Sequence, residues 1–153
     1  MIEVIRRSVV AARPDEVWER VVTPEGINDE LMPYMRMMLP RRHRGITVAD
    51  VTPGTSLGRV WIFYLGVLPL DWDRMTIAEL EPGRGFVEVS SMASMRIWRH
   101  ERTLTERGTD GTEVIDRLRF TPRLLLRPAS PLLEWFIGHL FEHRHRRLAK
   151  YFS

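Results

Sequence analysis

Between Arg96 and Phe120 the side chains sort into two unlike faces once the chain folds back on itself. A turn through Arg107-Gly108-Thr109-Asp110-Gly111 sets Trp98 opposite Phe120, His100 opposite Leu118, Arg102 opposite Asp116 and Leu104 opposite Val114. Those side chains share one face. The other carries Arg99, Glu101, Thr103, Glu113, Arg117 and Arg119, the polar set that a strand shows to water when its side chains alternate with period two. The inward face is therefore apolar with a charged patch set into it.

The same pattern reading extends along the chain. Glu3 to Ala11 alternates as a strand. A helix starts at Pro14, with Asp15 and Glu16 complementing its dipole and Val17, Trp18, Val21 and Val22 on one buried face. Thr23 as N-cap and Pro24 at the first helical position predict a second short helix to about Leu31, ending before Pro33. A methionine-rich strand follows over Tyr34 to Leu39, then a Pro/Gly-punctuated loop from Pro40 to Ser56 with a short strand at Ile46 to Val51. Strands at Leu57 to Leu65, Asp71 to Leu80 and Phe86 to Met92 lead into the hairpin, making a meander of six or seven strands. From Ser130, read as an N-cap before Pro131, the period changes to 3.6. Leu133, Phe136, Ile137, Leu140, Leu148 and Tyr151 then form the stripe of a long helix, with Arg144 projecting into its middle.

An antiparallel sheet with one long helix must bury a face on that helix, which defines an α+β architecture. A strongly curved sheet around a helix leaves a cavity between them. The 153 residues suffice for one closed core, read as a single domain over 1–153, and 44% hydrophobic residues is a globular composition. Without cysteine there is neither a disulfide framework nor a thiolate nucleophile or ligand. The start Met1-Ile2-Glu3-Val4-Ile5-Arg6-Arg7 lacks the apolar run of a signal peptide, and the run Val60 to Leu70 is about half the ~20 residues of a membrane span. A cytoplasmic protein is expected. The net charge of +3 rests on arginine, Lys150 being the lone lysine. Clusters at Arg41-Arg42-His43-Arg44 and Arg144 to Lys150 are either solvated surface or contacts for a membrane surface. No nucleic-acid motif accompanies them, so no nucleic-acid partner is expected.

The order of elements resembles the START-like superfamily, also called Bet v 1-like, SRPBCC or polyketide-cyclase-like, with its helix-grip fold. The resemblance covers nearly the whole chain. It is carried by Val10-Ala11-Ala12-Arg13-Pro14-Asp15-Glu16-Val17-Trp18 and Thr23-Pro24-Glu25-Gly26-Ile27, and later by Phe86-Val87-Glu88, Trp98-Arg99-His100, Gly111-Thr112-Glu113-Val114-Ile115-Asp116-Arg117-Leu118 and Phe141-Glu142-His143-Arg144. It implies a cavity for a small hydrophobic molecule such as a lipid, polyketide or aromatic compound. Relatives include carriers, receptors and aromatases or cyclases. Some bacterial relatives have a second histidine where this chain has Arg102, so a shared His–His chemistry is not implied here.

Arg102 and Asp116 are the leading pair, since a guanidinium fork matches a carboxylate, and Glu88 and Arg144 extend the set. These groups either brace the fold or form a polar floor beneath a ligand. His100 beside them is the candidate proton carrier of an enzymatic alternative. Trp61, Phe63, Trp72, Trp98, Phe120, Phe136 and Leu140 are expected to line the cavity as an apolar wall for a ligand. Three functions are thus open: a noncatalytic carrier or binding protein, a cyclase- or dehydratase-type enzyme, and a peripheral lipid-transfer module. No cofactor is expected. His139-Leu140-Phe141-Glu142-His143 matches a zinc pattern without an identifiable third ligand, and no metal is assigned.

Overall fold

The computed structural model describes residues 1–43 and 45–153. Strand β1 (Ile2–Val10) precedes helices α1 (Pro14–Val21) and α2 (Pro24–Leu31). Strands β2 (Met35–Met38), β3 (Ser56–Tyr64), β4 (Leu68–Glu81), β5 (Gly85–Met92), β6 (Met95–Arg107) and β7 (Gly111–Pro122) then run as a meander, and α3 (Ser130–Tyr151) closes the chain. All seven strands form one antiparallel sheet in the order β1-β7-β6-β5-β4-β3-β2. Register shifts in the β3–β4, β4–β5 and β6–β7 pairs bend the sheet, because an extra residue in one strand raises the local twist. The curled sheet grips α3 across its concave face.

The β6–β7 hairpin has the register its alternation predicts: Trp98 faces Phe120, His100 Leu118, Arg102 Asp116 and Leu104 Val114. All eight side chains are buried. α2 begins as predicted, the Thr23 Oγ1 accepting the Gly26 amide at 3.0 Å. A Cβ on Gly26 would stand 2.0 Å from the Arg20 carbonyl oxygen, so glycine is what lets α2 follow α1 so closely.

Three expectations are corrected. Residues 46–51 form no strand; Val48–Asp50 is a single 3-10 turn, tied by the Thr47 amide donating to Asp50 Oδ2 at 3.1 Å. Asp50 offers the backbone a local partner in place of a ladder. Ser130 is not the cap of α3 either. A 3-10 stretch over Leu124–Ala129 runs directly into the helix, so Ala129 is the cap and Ser130 is already helical, its hydroxyl donating to the Arg127 carbonyl. The apolar stripe of α3 ends at Leu148. Tyr151 is 52% exposed, its ring under the Arg20 guanidinium at 4.0 Å.

Candidate functional site

Alternation on β6 and β7 turns His100, Arg102 and Asp116 inward, and the first consequence is a buried ionic cluster. Arg102 donates through Nε and Nη2 to the two oxygens of Asp116 at 2.8 and 2.7 Å. Its Nη1 and Nη2 also donate to Glu30 on α2 at 3.0 and 2.8 Å. Asp116 further shares hydrogen bonds with His100 Nε2 and with His145 Nε2, each at 2.7 Å. His145 closes the set through Ser8 on β1. Arg144 reaches Glu30 through Nε at 3.3 Å, with its guanidinium over the Phe141 ring at 4.7 Å. Four elements are thus tied by charge-assisted bonds in a buried interior, where each is stronger than at a surface.

A second line of polar groups runs along the sheet beside this cluster. Glu88 accepts from Ser90 at 2.9 Å and stands 3.8 Å from His100 Nδ1. Asp71 accepts from Ser94 and from the Trp72 amide. Asp73, between them on β4, is buried against Glu88 and Ser90, both of which act on its carboxyl.

Burial works against charge throughout, but the neighbours decide the outcome. For Asp116, burial is overcome by Arg102 and His100, which hold its carboxyl well below the usual range. Burial disfavours the His100 imidazolium, yet Asp116 outweighs it and the pKa rises. Arg102 is likewise raised despite burial, by Asp116 and Glu30. Glu88 ends below its ordinary value because hydrogen bonds from His100 and other neighbours exceed the burial penalty. Asp73 goes the other way: burial and then the charge of Glu88 push it well above 3.8.

A chamber of about 100 Å³ lies between this line and α3. It touches six of the residues read from the sequence: Glu88, Trp98, His100, Phe136, Leu140 and Arg144. Arg102 and Asp116 sit behind His100 and do not line it, and Phe120 stands behind Trp98 with ring centroids 5.7 Å apart. Trp61, Phe63 and Trp72 are corrected: they belong to the opposite face. Their neighbours Val60, Ile62, Asp71 and Asp73 are the buried ones, so strand alternation turns the three rings outward. Trp61 is 41% exposed, and Trp72 lies beneath the Arg59 guanidinium at 4.6 Å. A second cavity of about 230 Å³ lies farther along the same concave strip, lined by Ile27, Leu57, Val60 and Met75 among others, and Met37 walls both.

Glu30, Asp73 and His145 escaped the sequence reading. Asp71 and Asp73 left a signal, since they fall in step with Met75 and Ile77 on β4 and so share the inward face. Glu30 left only a weak one, its place beside Leu31 and one turn after Ile27 on α2; docking against Arg102 and Arg144 is what buries its carboxylate. Of the basic clusters, Arg144 and His145 are buried, and Arg44 lies outside the described residues. The zinc-like pattern is spread over separate contacts, His139 on Trp135, Glu142 on Arg6 and His143 on the Met32 carbonyl. Among the described residues no three or more His, Asp or Glu side chains are arranged to hold a metal ion, and no helix is long and apolar enough to cross a membrane.

This fold is shared with solved structures of low sequence identity. A START superfamily protein from Mycobacterium smegmatis superposes with a TM-score of 0.69 at 13% identity, covering 98% of this chain and 96% of its own. Protein CV1439 of Chromobacterium violaceum gives 0.70 at 14%, covering 98% and 96%. The Zhui aromatase/cyclase of Streptomyces sp. R1128 gives 0.67 at 16%, covering 97% and 92%. The architecture is therefore the START-like, polyketide-cyclase-like helix-grip fold. Within it, the chain belongs to the family described as a domain of unknown function, DUF8410, which matches residues 8–152. No curated protein matches it in sequence.

Proposed function

We propose that this protein binds a small, mainly apolar molecule in the chamber between the sheet and α3, and holds or carries it without transforming it. The observation that supports this is the composition of the chamber wall. Leu31, Met35, Ile62, Trp98, Phe136 and Leu140 enclose it, while Asp73, Glu88, His100 and Arg144 gather on the sheet and facing helix. Apolar walls with a few convergent polar groups are the usual make-up of a small-molecule site. The ionic cluster behind His100 is a brace: it holds α2, α3, β6 and β7 around the chamber and leaves the chamber-facing groups to meet the ligand. Native mass spectrometry of the purified chain, followed by a panel of lipids and aromatic polyketides, tests the reading. A co-purifying or added apolar ligand is expected, and a chain that takes none of them would refute it.

One observation favours a second reading, an enzyme of the aromatase or cyclase type. His100 on β6 and the Arg144 guanidinium on α3 both line the chamber, and Asp116 raises the His100 pKa, so a proton donor and an oxyanion partner meet the same space from the sheet and the helix. On this reading His100→Ala keeps the fold but loses turnover of a poly-β-ketone substrate. Turnover that survives the substitution excludes His100 as the acid.

A further inference from the structure

The chamber reaches the surface at one end. Most residues that line it are buried, but Tyr64, Ser94, Leu133 and Phe136 are half-buried, as is Met37 at the wall shared with the second cavity. The first four come from three segments that are tied together there. The Ser94 hydroxyl of the β5–β6 turn donates to Asp71 near the start of β4, and the Arg123 amide donates to the Ser94 carbonyl at 3.0 Å. Arg123 Nε also donates to the Met92 carbonyl at 2.8 Å, which fixes the entry to the Leu124–Ala129 stretch. On the other side, the Leu65 amide of the β3–β4 turn donates to the Tyr34 carbonyl at 2.8 Å. The Tyr34 ring stands edge-on to His139 of α3, on which Trp135 stacks. The two turns and the start of α3 therefore form a rim around the chamber's open end.

That rim is apolar where it meets water. Leu65, Val67 and Leu68 are exposed at the β3–β4 turn. Around the start of α3 so are Leu124, Leu125, Leu132 and Trp135, with Leu125 at 93% and Trp135 at 64%. Single apolar residues on a surface mean little, but a set gathered around one opening marks an interaction site. Its charge points to the partner. Over residues 61–69, 93–97 and 123–136 the only charged side chains are Arg96, Arg123 and Arg127 against Glu134, all exposed. We propose that the rim is a docking surface for an anionic lipid bilayer. Leucines enter the apolar layer, the amphipathic Trp135 ring sits at headgroup level, and the arginines meet phosphates. The exposed basic residues Arg146 and Lys150 lie roughly 20 Å farther along α3 and face elsewhere. Docked this way, the chamber opens onto acyl chains instead of water. On the reading of the chamber as a ligand site, the bilayer is then the source or the destination of its apolar ligand.

Flotation of the full chain with vesicles of phosphatidylcholine alone, and of equal parts phosphatidylcholine and phosphatidylglycerol, tests this. The chain is expected to float with the anionic vesicles and to leave them as salt is added. Arg96→Ala with Arg127→Ala should weaken that binding roughly 25-fold, about fivefold for each charge. Arg146→Ala with Lys150→Ala changes the net charge equally and should leave binding near the parent value. Leu125→Glu and, separately, Trp135→Glu should abolish flotation without moving the thermal midpoint, because both side chains already face water. A parent chain that floats with neither vesicle overturns the inference, as does equal flotation with both. So does binding that survives both glutamate variants, or that falls more in the Arg146 and Lys150 variant than in the Arg96 and Arg127 one. A dimer that Leu125→Glu breaks, in a chain that binds no vesicle, assigns the rim to a second copy instead. Ligand capture seen by native mass spectrometry is a separate readout, so loss of docking leaves the binding function standing.

Discussion

Arg102 commits its whole guanidinium to two carboxylates, Nε and Nη2 to Asp116 and Nη1 and Nη2 to Glu30, at 1% exposure. Breaking a buried pair leaves uncompensated charge, so Arg102→Met should destabilise the fold by roughly 3–5 kcal/mol in urea unfolding. Asp73 predicts the opposite sign. Its folded pKa lies well above the ordinary 3.8, so the folded chain keeps a proton that the unfolded chain has released. The stability tied to this group is whole below the unfolded value and is lost as pH rises through the folded one. Asp73→Asn abolishes that titration, and its stability relative to the parent should increase from about pH 4 upward. A pH series of unfolding curves in which the difference stays flat would show that Asp73 ionises normally. Asp116 behaves inversely: its depressed pKa gives stability that is present above the unfolded value and lost as acid approaches the folded value.

At the scale of elements, α2 has a task out of proportion to its eight residues, because it delivers Glu30 to Arg102 and Arg144. Its start is fixed by Thr23 and Gly26, and its far end packs Leu31 against the chamber. Thr23→Ala should lower global stability by about 1 kcal/mol, the usual worth of a side-chain cap, as read from the thermal midpoint. The β6–β7 hairpin was legible because a period-two pattern with a glycine turn allows one register that buries Trp98, Leu118 and Phe120 together. β3 and β4 were legible as strands but not as faces. Their aromatic residues suggested the inward side, yet β4 turns Asp71 and Asp73 inward and Trp72 outward. Hydrophobicity alone misleads where an inner face carries charge and arginines cover aromatic rings on the outer one.

For the molecule as a whole, the concave strip holds two cavities, about 100 and 230 Å³, that share the Met37 wall. Ligand pockets usually span ~300–1,000 Å³, so each alone suits only a compact ligand. Methionine is the side chain best able to move aside in such a place. Met37→Ala should join the cavities and shift preference from a compact ring such as cyclohexane toward a longer chain such as n-nonane, measured by competition binding. An unchanged preference would mean that the partition lies in the backbone of β2, which the Asn28 side chain holds through the Met37 amide and carbonyl.

By itself the sequence determined most of the elements, the hairpin register, the helix-grip architecture and the presence of Arg102, Asp116 and His100 on one buried face. Each follows from local periodicity and capping, which neighbours along the chain impose. Tertiary structure alone decided that Glu30 and His145 complete the ionic cluster, that the chamber stops at His100, and that Asp73 is buried beside Glu88. Those facts depend on which side chains from distant segments meet inside a closed fold, and on how much charge remains unmatched when they do.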